Sequence, residues 1–439
     1  MTALRAAFFY VYIACTLGAN AVLLIPIDAL GDSGDNTIFS LSWVLLHLVS
    51  VLVLLTSRSL RAVPVLIAVG IGGLIVLSAA WSVAWMDSLV YGMMAAGNIL
   101  TACVLASERP LPDIAKMMLR VLTVMVLAGM LGALIGYGQV FDVDPHARPN
   151  YLGSEPIRGF FAHNIMAGFF SATGAVLAMT LLRGIRRILT LAAFILFVLW
   201  AGSATGFLLA VAGIIIVPLA QVIVPRVPLG GLLAVGTPIG LLAAAVVSQI
   251  WVPVVELVGR DPTLTGRTLL WEWGFGTITE RPVLGWGFFG YFNSEYGALP
   301  SRYTYQFWEY DIPHFHNSYV QTGVDLGLLG LLILLFVLIY TTATAYLYAG
   351  SATTQAGKRT GIALLMVMVT FLIASPTEVI FLTYNHFGTF GLFAMFFGLM
   401  RHRHEQHHAP RRQGNSGSLS STVALTPSNK RSSAVYPRR

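Results

Sequence analysis

The stretch Pro313-His314-Phe315-His316-Asn317-Ser318-Tyr319 stands directly before a long apolar run. An imidazole at the mouth of a helix can take a proton from a hydroxyl, because its pKa lies near working pH. His316 is the candidate base, with His314 as a secondary candidate. The first backbone N–H groups of such a helix, together with Asn317 and Ser318, could bind anionic oxygens. The same spacing also suits a plain helix cap made by His316 and Asn317. A second set lies upstream, where Gly266-Arg267-Thr268-Leu269-Leu270-Trp271-Glu272-Trp273 reads as the start of a short helix. Pro262 precedes it, and Thr263 and Thr265 are possible caps. Arg267 then sits in the first turn, where its guanidinium fork can match phosphate oxygens in pairs. The alternative is a structural ion pair with Glu272 or another acid. Arg260 is a further cation in the same region, and Trp271 offers a flat apolar face for a sugar ring. A third set is Arg158-Gly159-Phe160-Phe161-Ala162-His163-Asn164. Here Arg158 is expected at the outer surface, with His163 and Asn164 a turn or more into an apolar segment. Polar groups at that depth need partners and are candidates for function, or for interhelical hydrogen bonds.

These groups need a scaffold, and the chain supplies it as apolar segments. A membrane-spanning helix takes about 20 apolar residues. About twelve such segments are predicted, near 8–27, 38–56, 63–82, 85–106, 117–138, 159–182, 187–201, 204–224, 229–250, 316–348, 360–377 and 381–400. The expected fold is an all-α polytopic transmembrane bundle over residues 1–400, followed by a basic, disordered cytoplasmic tail at 401–439. The first segment follows one basic residue and reads as a retained helix.

Basic residues orient the bundle, since Lys and Arg gather in cytoplasmic loops. With the N-terminus inside, Arg58, Arg61, Arg109, Lys116, Arg120, Arg183, Arg186, Arg187, Arg226, Lys358 and Arg359 all fall inside. Arg148, Arg158, Arg260, Arg267, Arg281 and Arg302 fall outside, with most of the acids and no lysine. Both termini are therefore expected in the cytoplasm. The tail carries eight basic residues and one acid, equal to the whole formal net charge of +7. That suits a solvated positive-inside tail or contact with anionic lipid.

One connection, residues 251–315, is far longer than the rest. Loops beyond about 15 residues are functional or disordered as a rule. This one holds Trp271, Trp273, Trp286, Trp308 and five tyrosines, with four of the six outer arginines. Aromatic faces and guanidinium groups together suit a sugar phosphate. Aromatics at a membrane interface are the simpler reading for any one of them. Asp325 lies about 13 Å into the tenth span, at 1.5 Å per residue. Glu378 and His386 sit near the last outer turn and could border the same cavity.

Composition narrows the classes. The chain of 439 residues is 56% hydrophobic and 10% charged, with mean hydropathy +0.76. Soluble domains carry roughly 25% charged residues, so a soluble fold is excluded. Two cysteines, Cys15 and Cys103, both in apolar runs, exclude a disulfide framework. No P-loop, dinucleotide-binding glycine fingerprint or His-Glu-x-x-His motif is present. No acidic pair for a metal-bound nucleotide sugar is visible in the outer loops. No cofactor, metal or nucleic-acid partner is expected.

The chain resembles the O-antigen ligase and polysaccharide polymerase superfamily, and within it the rhizobial-type exopolysaccharide polymerases. The resemblance rests on Arg158–Gly168 (RGFFAHNIMAG), Gly202–Gly206 (GSATG), Thr265–Gly287 (TGRTLLWEWGFGTITERPVLGWG) and His314–Gly330 (HFHNSYVQTGVDLGLLG). It implies a GT-C-like helical glycosyltransferase of a bacterial inner membrane, metal-independent and inverting. Its donor would be an undecaprenyl-diphosphate-linked glycan, and its acceptor a second glycan, at the periplasmic face. Other polysaccharide assembly proteins are possible partners. Arg267 matches the family's diphosphate-gripping loop arginine, His316 its proposed base, and Arg158 the basic position before the sixth span. Many ligases carry Ser-Arg-Gly between spans seven and eight. Here the stretch reads Ser203-Ala204-Thr205-Gly206, which favours a polymerase of repeat units over a ligase acting on lipid A–core. A transporter or flippase, or a non-catalytic scaffold, are the readings outside the enzyme class.

Overall fold

A computed structural model describes residues 3–25, 37–142, 149–257, 266–300, 302 and 312–408. Its described residues are mostly helical, with a single isolated bridge between Phe141 and Ile157 and no sheet among them. The helices are α1 (Ala3–Thr16), α2 (Ala19–Leu24), α3 (Thr37–Thr56), α4 (Ala62–Leu77), α5 (Trp85–Glu108), α6 (Leu111–Leu134) and α7 (Asn164–Leu181). They continue as α8 (Gly184–Ala201), α9 (Ala204–Ile223), α10 (Leu229–Leu257), α11 (Arg267–Glu280), α12 (Ser318–Ser351), α13 (Gln355–Ala374) and α14 (Phe387–His408). Among the described residues, nine helices are long and apolar enough to cross a membrane. The α1–α2 pair, α10 and α14 fill the remaining expected segments. The protein is a polytopic helical membrane protein.

Burial separates centre from rim. The apolar windows of α7 and α13 are 78% and 67% buried, those of α3 and α8 only 17% and 22%. Apolar side chains left exposed on the rim, such as Leu45, Leu48, Leu52 and Ile188, are what a helix presents to hydrocarbon. The central α7 reads NIMAGFFSATGAVLAMTL and is rich in small residues. Small residues let helix backbones approach closely, which drives packing where lipid removes the hydrophobic incentive. Gly168 and Gly206 mark the crossing of α7 and α9. A Cβ on Gly206 would lie 2.5 Å from the Gly168 carbonyl carbon.

Several expected boundaries move, for local reasons. The sixth span starts at Asn164 rather than 159, because Gly159 takes positive φ and His163 is extended as its N-cap. His163 and Asn164 therefore stand at the helix start, not a turn inside it. The first segment breaks at Gly18 into α1 and α2, where a left-handed glycine packs on the Ala162 backbone. At the other end, α14 continues through Arg401 to His408, past the expected boundary at 400. Arg401 anchors it there by donating to the Ala106 and Ser107 carbonyls. The rest of the tail, from 409, lies outside the described residues.

In the long connection, the described residues 266–300 and 312–315 are folded against the bundle. Helix α10 runs on to Leu257, and α11 packs on α12. Leu270, Trp286, Tyr291, Ile312, Phe315, Val320 and Val324 form a second, smaller core beneath it. Residues 282–288 enter the bundle beside a break in α12. At Gly327 (φ 63°, ψ −163°) the helix opens. The backbone groups this frees are taken up by the inserted strand of chain. Leu328 N–H donates to Pro282 O, Trp286 N–H to Val324 O and Gly287 N–H to Asp325 O. Irregular backbone at this depth is tolerated only when buried in protein in this way. A Cβ at Gly327 would lie 2.3 Å from Val283 O, so glycine is required by space as well as by φ.

Candidate functional site

Three elements bring charged groups together at the capped end of the bundle. Helix α11 starts at Arg267, with Gly266 as a left-handed N-cap (φ 83°) in place of a side-chain cap. The expected caps Thr263 and Thr265 lie outside the described residues, as does Arg260. Helix α12 starts at Ser318, and its N-cap is Asn317. The Asn317 Oδ1 accepts from the N–H groups of Tyr319 and Val320 at 2.9 and 3.1 Å. The third element is the connection between α13 and α14, residues 375–386. Ser318 pins it. Its hydroxyl donates to Glu378 O at 2.9 Å and accepts from Ile380 N–H at 2.8 Å.

Glu378 is where the groups meet. Arg267 donates from Nη2 to Glu378 Oε1 at 3.0 Å and from Nη1 to the Thr377 carbonyl. The other carboxylate oxygen, Oε2, lies 3.8 Å from His316 Nδ1. Arg267 thus forms the ion pair that the alternative reading allowed, with an acid 111 residues away rather than with Glu272. Glu378 is nearly enclosed, with 4% of its side chain exposed, against 17% for Arg267 and for His316. Burial alone would push the carboxyl pKa up, but Arg267 and His316 beside it hold it below the usual range. Removing one partner of such a buried pair costs about 3–5 kcal/mol, since the other charge is stranded.

The histidines divide into different jobs. His316 takes a left-handed backbone (φ 48°), uncommon outside glycine and a mark of a constrained turn. Its backbone N–H donates to His314 Nδ1 at 3.2 Å. His314 must therefore carry its proton on Nε2, and its work in the structure is to hold the turn. Burial, then the neighbouring His316, keeps His314 well below its ordinary pKa. Burial also lowers His316, and Glu378 opposes that shift. His163 is half-buried at the start of α7 and lies near enough to act electrostatically on His314, His316 and Glu378.

A buried relay supports the turn. Trp271 Nε1 donates to Phe315 O at 3.0 Å, tying α11 to it. Phe315 N–H donates to Gln321 Oε1, and Gln321 Nε2 donates to both Asp325 oxygens, each at 3.0 Å. Asp325 thereby fixes which way the Gln321 amide faces. This explains an acid deep in an apolar helix. His386 Nδ1 accepts from Gly388 N–H at 3.1 Å, at the start of α14.

Arg158 departs from expectation. It is 1% exposed rather than at the surface. It donates to Gln139 O at 3.0 Å, and to Ala162 O and Gln139 Oε1 at 3.4 Å each. Those carbonyls satisfy the guanidinium inside its own loop, and burial lowers its pKa. Ser203 of the GSATG stretch caps α9, accepting from Gly206 N–H. The sequence marks Glu378 only as a residue that could border the cavity, not as the partner of Arg267. The signal for it was an isolated acid in Ser-Pro-Thr-Glu, in the last connection at this end.

The fold and this site define a polytopic helical membrane protein with a buried Arg–Glu–His cluster where α11, the turn before α12 and the 375–386 connection meet. Residues 189–335 match the family model described as O-antigen ligase. That stretch runs from α8 into α12 and includes Arg267 and His316. The chain is also 33% identical over 104 residues to the exopolysaccharide production protein ExoQ of Rhizobium meliloti. The alignment takes in 22% of this chain and 23% of that relative. Both matches agree with the superfamily resemblance read from the motifs.

Proposed function

We propose that this chain is a membrane glycosyltransferase that joins undecaprenyl-diphosphate-linked oligosaccharide repeat units of an exopolysaccharide or O-antigen. The observation that carries this reading is the meeting of Arg267 and His316 on one carboxylate. A guanidinium suited to phosphate and an imidazole suited to base catalysis both adjoin Glu378. The positive-inside bias argues that this end faces the periplasm, with both termini in the cytoplasm of an inner-membrane protein.

In the proposed step, an acceptor hydroxyl on a second lipid-linked unit attacks the donor's anomeric carbon. A new C–O bond forms as the bond from that carbon to the diphosphate oxygen breaks. His316 receives the hydroxyl proton. The lipid diphosphate leaves with its charge opposed by Arg267, so the step needs no metal ion. Direct displacement inverts the anomeric carbon. Trp271, beside the turn, offers a face for a sugar ring. Asn317 keeps only its Nδ2 for a ligand, and Arg158 reaches one only if its loop rearranges.

Transfer to lipid A–core is the second reading, favoured by the description of the matching family model. The Ser203-Ala204-Thr205-Gly206 stretch, which lacks an arginine, favours polymerisation. The test is reconstitution of purified protein in proteoliposomes with a lipid-linked repeat unit. A ladder of lengthening products is expected. Arg267→Ala and His316→Ala should insert normally and lose about two to three orders of magnitude in rate. Wild-type rates in either variant would remove that residue from the mechanism. Products appearing only when lipid A–core is added would favour the ligase.

A further inference from the structure

We propose that Glu378 is a positioning residue of the transfer reaction, which holds Arg267 and His316 in register and yields its place on the guanidinium to the donor's diphosphate. This rests on the glycosyltransferase reading above.

The geometry divides the carboxylate between two tasks. Oε1 receives Arg267 Nη2 at 3.0 Å, and Oε2 faces His316 Nδ1 at 3.8 Å. A small rotation of the ring closes the second distance to a hydrogen bond. Such contacts tighten when substrate binds. The carboxylate is not on a loose segment. Glu378 N–H donates to Ala374 O at 3.0 Å, and its carbonyl is held by Ser318. Glu378 is therefore tied to Ser318, two residues after His316, at the start of α12.

An acid on Nδ1 has two consequences for a base. It keeps the proton on Nδ1 and leaves Nε2 as the basic atom, and it stabilises the imidazolium that forms when Nε2 takes a proton. On the other side, Glu378 neutralises Arg267 while the site is empty. A diphosphate is a stronger partner for the guanidinium than one carboxylate, because it offers more oxygens and more charge. Exchange of Glu378 for diphosphate on Arg267 leaves the carboxylate to His316 alone. Donor binding and base activation are then one event.

The ionisable groups facing this pair come from every neighbouring element. Arg267 belongs to α11, His163 stands at the start of α7, and His314 lies in the same turn as His316. His386 precedes α14. Burial, Arg267 and His163 lower the His316 pKa, and Glu378 raises it. Removing the carboxylate must therefore lower the His316 pKa. A base with a lower pKa stays unprotonated to lower pH, so the acid limb of the rate profile shifts down.

The experiment uses the full chain in proteoliposomes with the lipid-linked repeat unit, across pH 5 to 9, at varied donor concentration. Glu378→Gln keeps the side-chain shape, and Glu378→Asp keeps the charge. For Glu378→Gln, kcat should fall on the order of tenfold to a hundredfold. Its acid limb should move to lower pH, and the donor KM should not rise, because Arg267 is no longer neutralised. Glu378→Asp should return the limb toward the wild-type position. Three results would overturn the proposal. They are an unmoved acid limb, kcat within twofold of wild type, or a raised KM with an unchanged profile, which is the pattern of a merely structural acid. Arg267→Ala and His316→Ala are assayed alongside. If they are inactive while Glu378→Gln behaves as wild type, only the role of Glu378 fails. If they are active, the site fails and the role of Glu378 with it; if the wild-type chain itself makes no lengthened product, the glycosyltransferase reading fails.

Discussion

At the scale of single residues, the cluster turns on what each side chain can still offer a ligand. Arg267 has a fork and His316 a ring, and both lean on Glu378. Lysine in place of Arg267 keeps the charge but loses paired geometry. Arg267→Lys is expected to retain more activity than Arg267→Ala and to fall short of wild type by roughly tenfold, about one lost charge-assisted hydrogen bond. Steady-state rates in proteoliposomes check this; equal rates for lysine and alanine would deny the cation a role. His316 titrates below its ordinary value of 6.5. A base must be neutral to act, so the wild-type rate should be level near neutrality and fall only as pH drops below that value. A rate rising steadily from pH 7 to 9 would point to a different base. His314 needs a ring acceptor for the His316 N–H. His314→Ala should lower the rate while leaving insertion intact, whereas His314→Asn, which retains an acceptor, should lower it less.

At the scale of elements, the broken α12 and the segment inserted beside it decide whether the site exists. The break at Gly327 is matched hydrogen bond for hydrogen bond by residues 282–288. That segment continues from α11, so it fixes where Arg267 stands against the 314–317 turn. Gly327→Ala brings both positive-φ strain and a Cβ against Val283 O. A strained residue of this kind costs about 1–3 kcal/mol. Its purified protein should melt at lower temperature than wild type, and its rate should fall through loss of cap docking. The Gly206→Ala variant meets backbone on α7 instead, so it should melt early as well. An unchanged melting temperature in both would mean the helices can part without penalty.

At the scale of the whole molecule, the orientation proposed from the positive-inside bias has a direct test. Arg302 is exposed at the capped end, and Arg403 is exposed at the far end of α14. Replacing Cys15 and Cys103 with alanine gives a background for single labels. In intact spheroplasts a membrane-impermeant maleimide should label Arg302→Cys, and should label Arg403→Cys only after lysis. The reverse pattern would invert the bundle and move the site to the cytoplasm.

The sequence by itself determined the class of fold, because a spanning helix must be apolar over its whole length and every residue of it votes. It also determined which residue types stood where chemistry was possible: Arg267 opening one helix, His316 just before another. It could not determine their partners. Glu378 lies 111 residues from Arg267, and no local pattern records a contact made by folding. Nor could it tell a surface arginine from Arg158, whose loop carbonyls replace water. The break at Gly327 was equally hidden, since a glycine in an apolar helix reads the same whether the helix runs straight or opens. Those outcomes depend on which backbone groups find each other across the bundle, and only the packed molecule sets that.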